Sequence, residues 1–185
     1  IKGISAESKI PISVDTRKAE VASVAHKAGA SLVNDVSGFT FDPNLLAYCS
    51  KSNLPVCIMH MQGSPENMQN NPKYENILIE VYDFLENQIG KLVRAGISRD
   101  HIIADVGIGF GKNLGHNLAL IKNISLFHGL GVPLLLGVSR KSIISKLAKV
   151  EKPSDRLHGS ISLAISALGQ GVQIFRVHDV AETKQ

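Results

Sequence analysis

Six short apolar runs in this chain each end in side chains that can do chemistry. Asp15 follows "ISV", Asn34 and Asp35 follow "SLV", His60 follows "VCIM", Asp105 follows "HIIA", Ser139 to Lys141 follow "LLLGV", and Arg176 with His178 follows "QIF". A carboxylate accepts two parallel N–H bonds, as from an amino-pyrimidinone, and an amide both donates and accepts, so Asp15, Asn34 and Asp105 suit the edge of a heterocycle. Arg176 and His178 suit a phosphate or diphosphate. The inventory implies a substrate with a heteroaromatic head and an anionic leaving group. Each residue has a plainer alternative. Asp15 or Thr16 can cap the next helix, Asn34 can bond its own loop backbone, Asp105 can organise the Gly107 to Gly111 turn, and His178 can serve packing. Recurrence at six run ends is what favours a shared site.

The elements that would position these groups are short apolar runs alternating with segments of helical period. Strands are expected at "PISV" (11 to 14), "SLVNDVSG", "LPVCIMHM", "HIIADV", "PLLLGVS" and "VQIFRVHDV". Between them, Val21, Val24, Ala25 and Ala28 follow helical spacing, with Gly29 placed as a stop. Pro43 opens a short helix, and longer ones are expected over Tyr74 to Ala95, Asn117 to Phe127, Ser142 to Lys149 and Asp155 to Leu168, with a polar loop at 62 to 73. Such alternation gives parallel strands buried on both faces, an α/β architecture whose carboxyl strand ends share one edge where ligands bind. An open doubly wound sheet and a closed eight-stranded barrel both fit this pattern. With six strands visible, a start that reads as the tail of a helix and a stop just after a strand, residues 1–185 are expected to be one domain, incomplete at both ends.

Composition narrows the partners. The 185 residues carry 20 Lys+Arg against 16 Asp+Glu, a formal charge of +4 spread without a basic block, which disfavours nucleic acid and leaves a small anionic substrate open. No apolar segment approaches the roughly 18 residues of a membrane span. Cys49 and Cys57 have no metal-ligand spacing, so a reducing, cytoplasmic setting is expected. "GIGFGK" (107 to 112) is not a phosphate loop: Val106 stands where the first Gly is needed and Asn113 where Ser or Thr is needed, and the dinucleotide fingerprint would need Gly at Lys112. The single histidine of "MHM" makes zinc improbable, and Met59 or Met61 suits soft packing against a flat ring.

Taken in order, "ISVDTRK", "LVNDVSG", "IMHMQGSPENMQNNPKY", "IIADVGIGFGK", "HNLALI", "GVSRKS" and "IFRVHDV" closely resemble the dihydropteroate synthase family across almost the whole chain. The resemblance implies a (β/α)8 TIM barrel, of which this chain would hold about strands 3 to 8 without the first two strands and the final helix. It implies a transferase of folate biosynthesis that joins 6-hydroxymethyl-7,8-dihydropterin diphosphate to p-aminobenzoate, releases diphosphate, and is a sulfonamide target. By motif, Asp15, Asn34, Met59, Asp105 and Lys141 would line the pterin pocket. Arg176 and His178 would hold the diphosphate, and Lys141, Arg176 and His178 would be catalytic. Phe110 and Lys112 would border the p-aminobenzoate pocket, and Ser142 with the following helix start would meet its carboxylate. Magnesium would arrive with the diphosphate, its linked Asn lying in a first-strand loop that this chain does not contain. A homodimer is implied for the full-length form.

The chain departs from the family at Val106, where Asp-Pro-Gly is usual, and the carboxylate of Asp105 is kept. The absent early strands would leave two unpaired sheet edges, from which we expect residues 1–185 alone to be poorly soluble and inactive. A pterin-binding methyltetrahydrofolate methyltransferase domain uses similar carboxylate and amide positions but has no need of "SRKS" or "RVHD". A non-catalytic truncated copy is the third reading.

Overall fold

The structure, a computed structural model, describes residues 1–63, 68 and 70–185; the expected polar loop at 62 to 73 lies partly outside them. Six strands appear in the expected places, each shorter than its apolar run: β1 (Ser13–Asp15), β2 (Leu32–Asp35), β3 (Val56–Met59), β4 (Ile102–Asp105), β5 (Leu134–Leu136) and β6 (Ile174–Phe175). All five pairings are parallel and the spatial order is the chain order.

The helices are α1 (Lys2–Glu7), α2 (Ala19–Lys27), α3 (Pro43–Lys51), α4 (Ile77–Arg94), α5 (Leu114–Lys122), α6 (Ser142–Ala148), α7 (Leu157–Leu168) and α8 (Val180–Lys184). Their starts depart from the periodicity because capping decides them. Asn76 accepts from the amides of Leu78 and Ile79 while Glu80 reaches back to the Asn76 amide, so α4 begins three residues after Tyr74. Asn113 and His116 form a reciprocal cap that starts α5 at Leu114, ahead of Asn117. Asp42 caps α3, with Pro43 in its first turn.

Residue parity divides the sheet into two faces. Val33, Val56, Ile58, Ile102, Ala104, Leu134 and Leu136 pack outward into one core with Val81, Leu85, Ile89 and Leu92 of α4 and Leu120 and Ile121 of α5. Asp15, Asn34, Cys57, Met59, Ile103, Asp105 and Leu135 alternate with them on the other face. β3 is buried on both faces as expected, whereas β1 and β6 are not, because each has one neighbour.

The sheet is strongly curled. Strands about 4.8 Å apart would put the two edges of a flat six-stranded sheet about 24 Å from each other. Instead Arg176, just past β6, donates to Asp15 of β1 at 2.6 Å. The inner face therefore closes round a hollow of about 350 Å³, floored by Cys57, Ile103, Leu135 and Ile174, with Asp15, Asn34 and Arg176 on its rim. Cys49 and Cys57 are both free and buried. Among the described residues no helix is long and apolar enough to cross a membrane.

Candidate active site

The rim has two chemically different halves. On the first, Asn34 Nδ2 donates to Asp15 Oδ1, and Arg176 Nη2 bonds the other oxygen of the same carboxylate. This triad is open to solvent, with the Arg176 and Asp15 side chains 63% and 49% exposed. Asp15 thus does not cap α2, whose first amide, on Ala19, is taken by Asp42 at 2.8 Å. Nor does the Asn34 side chain turn back on its own loop. It is Asp35, fully buried, that organises that loop by accepting from the Ser37 amide and hydroxyl and from the Phe39 amide.

On the second half Asp105 is 8% exposed and accepts from the Gly107 amide at 2.7 Å through Oδ1. The turn-organising role and a place on the rim therefore coexist in one side chain, since that bond occupies only one of its two oxygens. Burial pushes the Asp105 carboxyl up, against the pull of Lys141 foremost, then the Gly107 amide, Lys112 and Arg176. Burial lowers Lys141, and Asp105 opposes it. Lys141 donates to the Ile108 carbonyl and holds its ammonium 4.8 Å from the centre of the Phe110 ring. Met59 pairs with Asp105 across β3 and β4 and is 3% exposed.

Between the halves lies a cleft of about 180 Å³ lined by Gly137, Ser139, Lys141, Arg176, Val177 and His178. Its walls carry two cationic side chains and two further hydrogen-bonding groups, a composition that suits a small polyanion. His178 is exposed at the cleft and is held there by Ser139: its Nδ1 lies 3.0 Å from Ser139 Oγ, which also accepts from the His178 amide.

Two features of the site were not legible in the sequence. The first is the role of Arg140, which adopts a left-handed backbone at φ 58, an unusual state for a side chain of this size. It is held on three sides: its amide donates to Ser160 Oγ, its carbonyl accepts from Arg156, and its guanidinium forks onto Asp179. The loop bearing Ser139 and Lys141 is thereby tied to the segment bearing Arg176 and His178. The adjacent "SRK" and "RVHD" motifs were the available signal, but pairing them needs the β5–β6 register. The second feature is the burial of Lys112, expected at the edge of a ligand pocket. It is 3% exposed, and its ammonium is taken up by His60 Nδ1 at 2.9 Å, the His60 carbonyl at 3.1 Å and the Phe110 carbonyl at 2.9 Å. Burial brings Lys112 down to about 7 and, with the Lys112 charge, His60 to about 3. Ser142 opens α6 and shares a crevice with Gly109, Lys112, Asn117 and Lys141, so Lys112, though buried, still lines the pocket beside Ser142.

A larger groove of about 740 Å³ runs along β1, α1 and α2 past Val14, Val21 and Val24. Lys2, Lys18 and Glu20 complete its lining with no polar contact among them that points to a ligand, and we assign it no chemistry.

Comparison with known proteins agrees with this geometry. The chain is 44% identical over 183 residues to dihydropteroate synthase of Escherichia coli K12, covering 99% of this chain and 64% of that protein. It superimposes with a TM-score of 0.95 on the crystal structure of Yersinia pestis dihydropteroate synthase with a sulfonamide drug, at 42% identity, 99% of this chain and 66% of the other. Against Xanthomonas albilineans dihydropteroate synthase in complex with 7,8-dihydropteroate the TM-score is 0.92, at 36% identity and coverage of 99% and 66%. The chain spans a little under two thirds of the length of the curated relatives it matches. The family model described as "Pterin binding enzyme" matches residues 1–178, and the chain belongs to that family, in company with the dihydropteroate synthases it is similar to.

Proposed function

We propose that the protein containing this chain is a dihydropteroate synthase: it condenses 6-hydroxymethyl-7,8-dihydropterin diphosphate with p-aminobenzoate and releases diphosphate. The observation that carries this reading is the convergence of Asp15, Asn34, Asp105, Lys141 and Arg176 on one rim beside a cationic cleft. The supporting fact outside the chain is the product bound to the Xanthomonas relative.

In this reading Asp105 takes the two-donor edge of the pterin, Lys141 faces its oxo and ring-nitrogen side, and Asn34 and Asp15 close the rim over Met59. Arg176 and His178 hold the diphosphate in the cleft. The C–O bond of the pterin methylene breaks, its electron pair leaves with the diphosphate, and the ring carries the cation that results. The aminobenzoate nitrogen then forms the new C–N bond and loses a proton to solvent. Arg176, His178 and Lys141 stabilise the departing charge and orient the partners, with no covalent enzyme intermediate. Phe110 and Ser142 border the aminobenzoate.

Magnesium enters as a companion of the substrate diphosphate. Among the described residues no three His, Cys, Asp or Glu side chains form a metal site, and the ion would offset charge on the departing oxygens alongside Arg176 and Lys141. The finer architecture is proposed on the same footing: the six strands are the last six of an eight-stranded barrel, whose other two would join β1 to β6. So are the homodimer, for which α7 offers Ile165 and Leu168, both over 60% exposed, and the cytoplasmic setting, consistent with two free thiols.

The test is to supply the full-length protein with the pterin diphosphate, p-aminobenzoate and magnesium. Diphosphate release that requires both organic substrates, and competition between sulfonamides and aminobenzoate, are the expected results. Methyl transfer from methyltetrahydrofolate to a corrinoid acceptor, without that condensation, would overturn the reading.

A further inference from the structure

Lys112 is a buried cation that the proposed condensation does not use. Its ammonium sits at the seam between two strand exits, bonded to both the ring nitrogen and the carbonyl of His60 after β3 and to the Phe110 carbonyl in the turn after β4. The turn is pressed against that exit along its length. A Cβ on Gly107 would lie 1.9 Å from the His60 carbonyl oxygen, and one on Gly111 would lie 2.4 Å from the Gln62 carbonyl oxygen. Tyr74 adds a bond from its hydroxyl to the Gly111 carbonyl at 2.7 Å, and His60 packs edge-on against Phe84 with ring centres 5.0 Å apart. The same turn supplies two contacts of Lys141: the Ile108 carbonyl accepts from its ammonium, and the Phe110 ring lies beside it.

We infer that Lys112 is a positioning residue, a latch that ties the β4–α5 turn to the end of β3 and so fixes Phe110 and Lys141, its Nζ committed to protein acceptors although the residue lines the crevice beside Ser142. Three acceptors surround Lys112 Nζ, enough to take every N–H of the ammonium or of the neutral amine, so none is left to offer a ligand. The inference rests on the proposed condensation, because Phe110 and Lys141 are its sites of action.

The experiment uses three variants of the full-length protein. Lys112→Met removes all three donors, His60→Leu removes the ring acceptor, and His60→Asn keeps an acceptor oxygen near the position of Nδ1. Lys112→Met and His60→Leu are expected to raise KM for p-aminobenzoate and lower kcat by about tenfold or more, the scale of a misplaced reacting group, while His60→Asn stays within about threefold of the unsubstituted protein. Hydrogen–deuterium exchange over residues 107–113 should quicken in the first two variants and not in the third. Should Lys112→Met fail to fold, the His60 pair decides the matter. Faster exchange with unchanged kcat and KM would show a purely structural tie and overturn the proposal, as would equal kinetics for His60→Leu and His60→Asn. If the unsubstituted protein does not condense the two substrates, the functional reading falls, and the exchange data still report whether the latch exists.

Discussion

Replacing Gly107 by alanine and, separately, Gly109 by alanine isolates the close approach on which the second half of the rim depends. Both glycines have left-handed backbones, φ +72 and +85, a conformation that costs an alanine about 1–2 kcal/mol. Their surroundings differ. A Cβ added at Gly107 would fall 1.9 Å from the His60 carbonyl oxygen and 3.2 Å from Lys112 Nζ, whereas one added at Gly109 would meet Lys141 Cδ at an ordinary 3.6 Å. The His60 oxygen is backbone and is itself bonded to Lys112, so relief requires the β3 and β4 exits to separate, at the roughly 1–3 kcal/mol typical of overpacking. Gly107→Ala is therefore expected to lose about 2–5 kcal/mol and Gly109→Ala about 1–2 kcal/mol in urea unfolding at matched m-values. Because the Gly107 amide anchors Asp105, the first substitution should also weaken binding of the pterin diphosphate more than the second. Equal midpoints for the two variants would refute the packing argument.

Other expectations follow from neighbouring geometry. Asp179→Asn removes the charge that the Arg140 guanidinium forks onto and should lower turnover roughly ten- to hundredfold through misplacement of Lys141 and His178; unchanged steady-state kinetics would count against the tie. Lys141→Ala should cost about a hundredfold or more in kcat, on the order of losing one donor to developing charge, with an unchanged circular dichroism spectrum. His60 is pushed from the usual 6.5 to about 3, so the folded state binds fewer protons than the unfolded one between those values. Its contribution is fully present above about pH 6.5 and is lost as pH falls towards 3, by at most about 4–5 kcal/mol. His60→Leu should flatten that limb of the stability profile, and a profile that keeps its slope would show that the imidazole is not the group responsible.

What the sequence disclosed follows from what apolar pattern can encode. Strand positions were legible because β3, β4 and β5 are largely buried on both faces, and "VCIM" or "LLL" admits no helix so short. The rim was legible because strands joined in parallel must end on one edge, so Asp15, Asn34, Asp105 and Arg176 share it by topology. The curl was not: it depends on tertiary twist, and it is the contact between Arg176 and Asp15, 161 positions apart, that shows it. Helix starts were missed by three residues at Ile77 and Leu114 because Asn76 and Asn113 outweigh periodicity. The burial of Lys112 was hidden for a related reason. A lysine beside a glycine turn looks exposed until the His60 carbonyl, 52 residues earlier, is brought against it.

The two halves of the rim differ in how firmly they are held, and that difference has a testable consequence. Asp105 and Lys141 balance each other's charge in a setting where burial makes separation costly, which suits a fixed seat for the heterocyclic head. Asp15 and Arg176 are about half exposed, and an ion pair of that kind is worth about 0–1 kcal/mol. A diphosphate can therefore draw Arg176 away from Asp15 with little loss of stability, and the carboxylate competes with it for the guanidinium. Asp15→Asn removes the competitor and keeps a polar partner for Asn34. The expected result by calorimetry is a pair of opposite signs: inorganic diphosphate binds more tightly, and the pterin head, deprived of one carboxylate, binds more weakly. Weaker binding of both would mean that Asp15 holds Arg176 in place for the anion and does not compete with it.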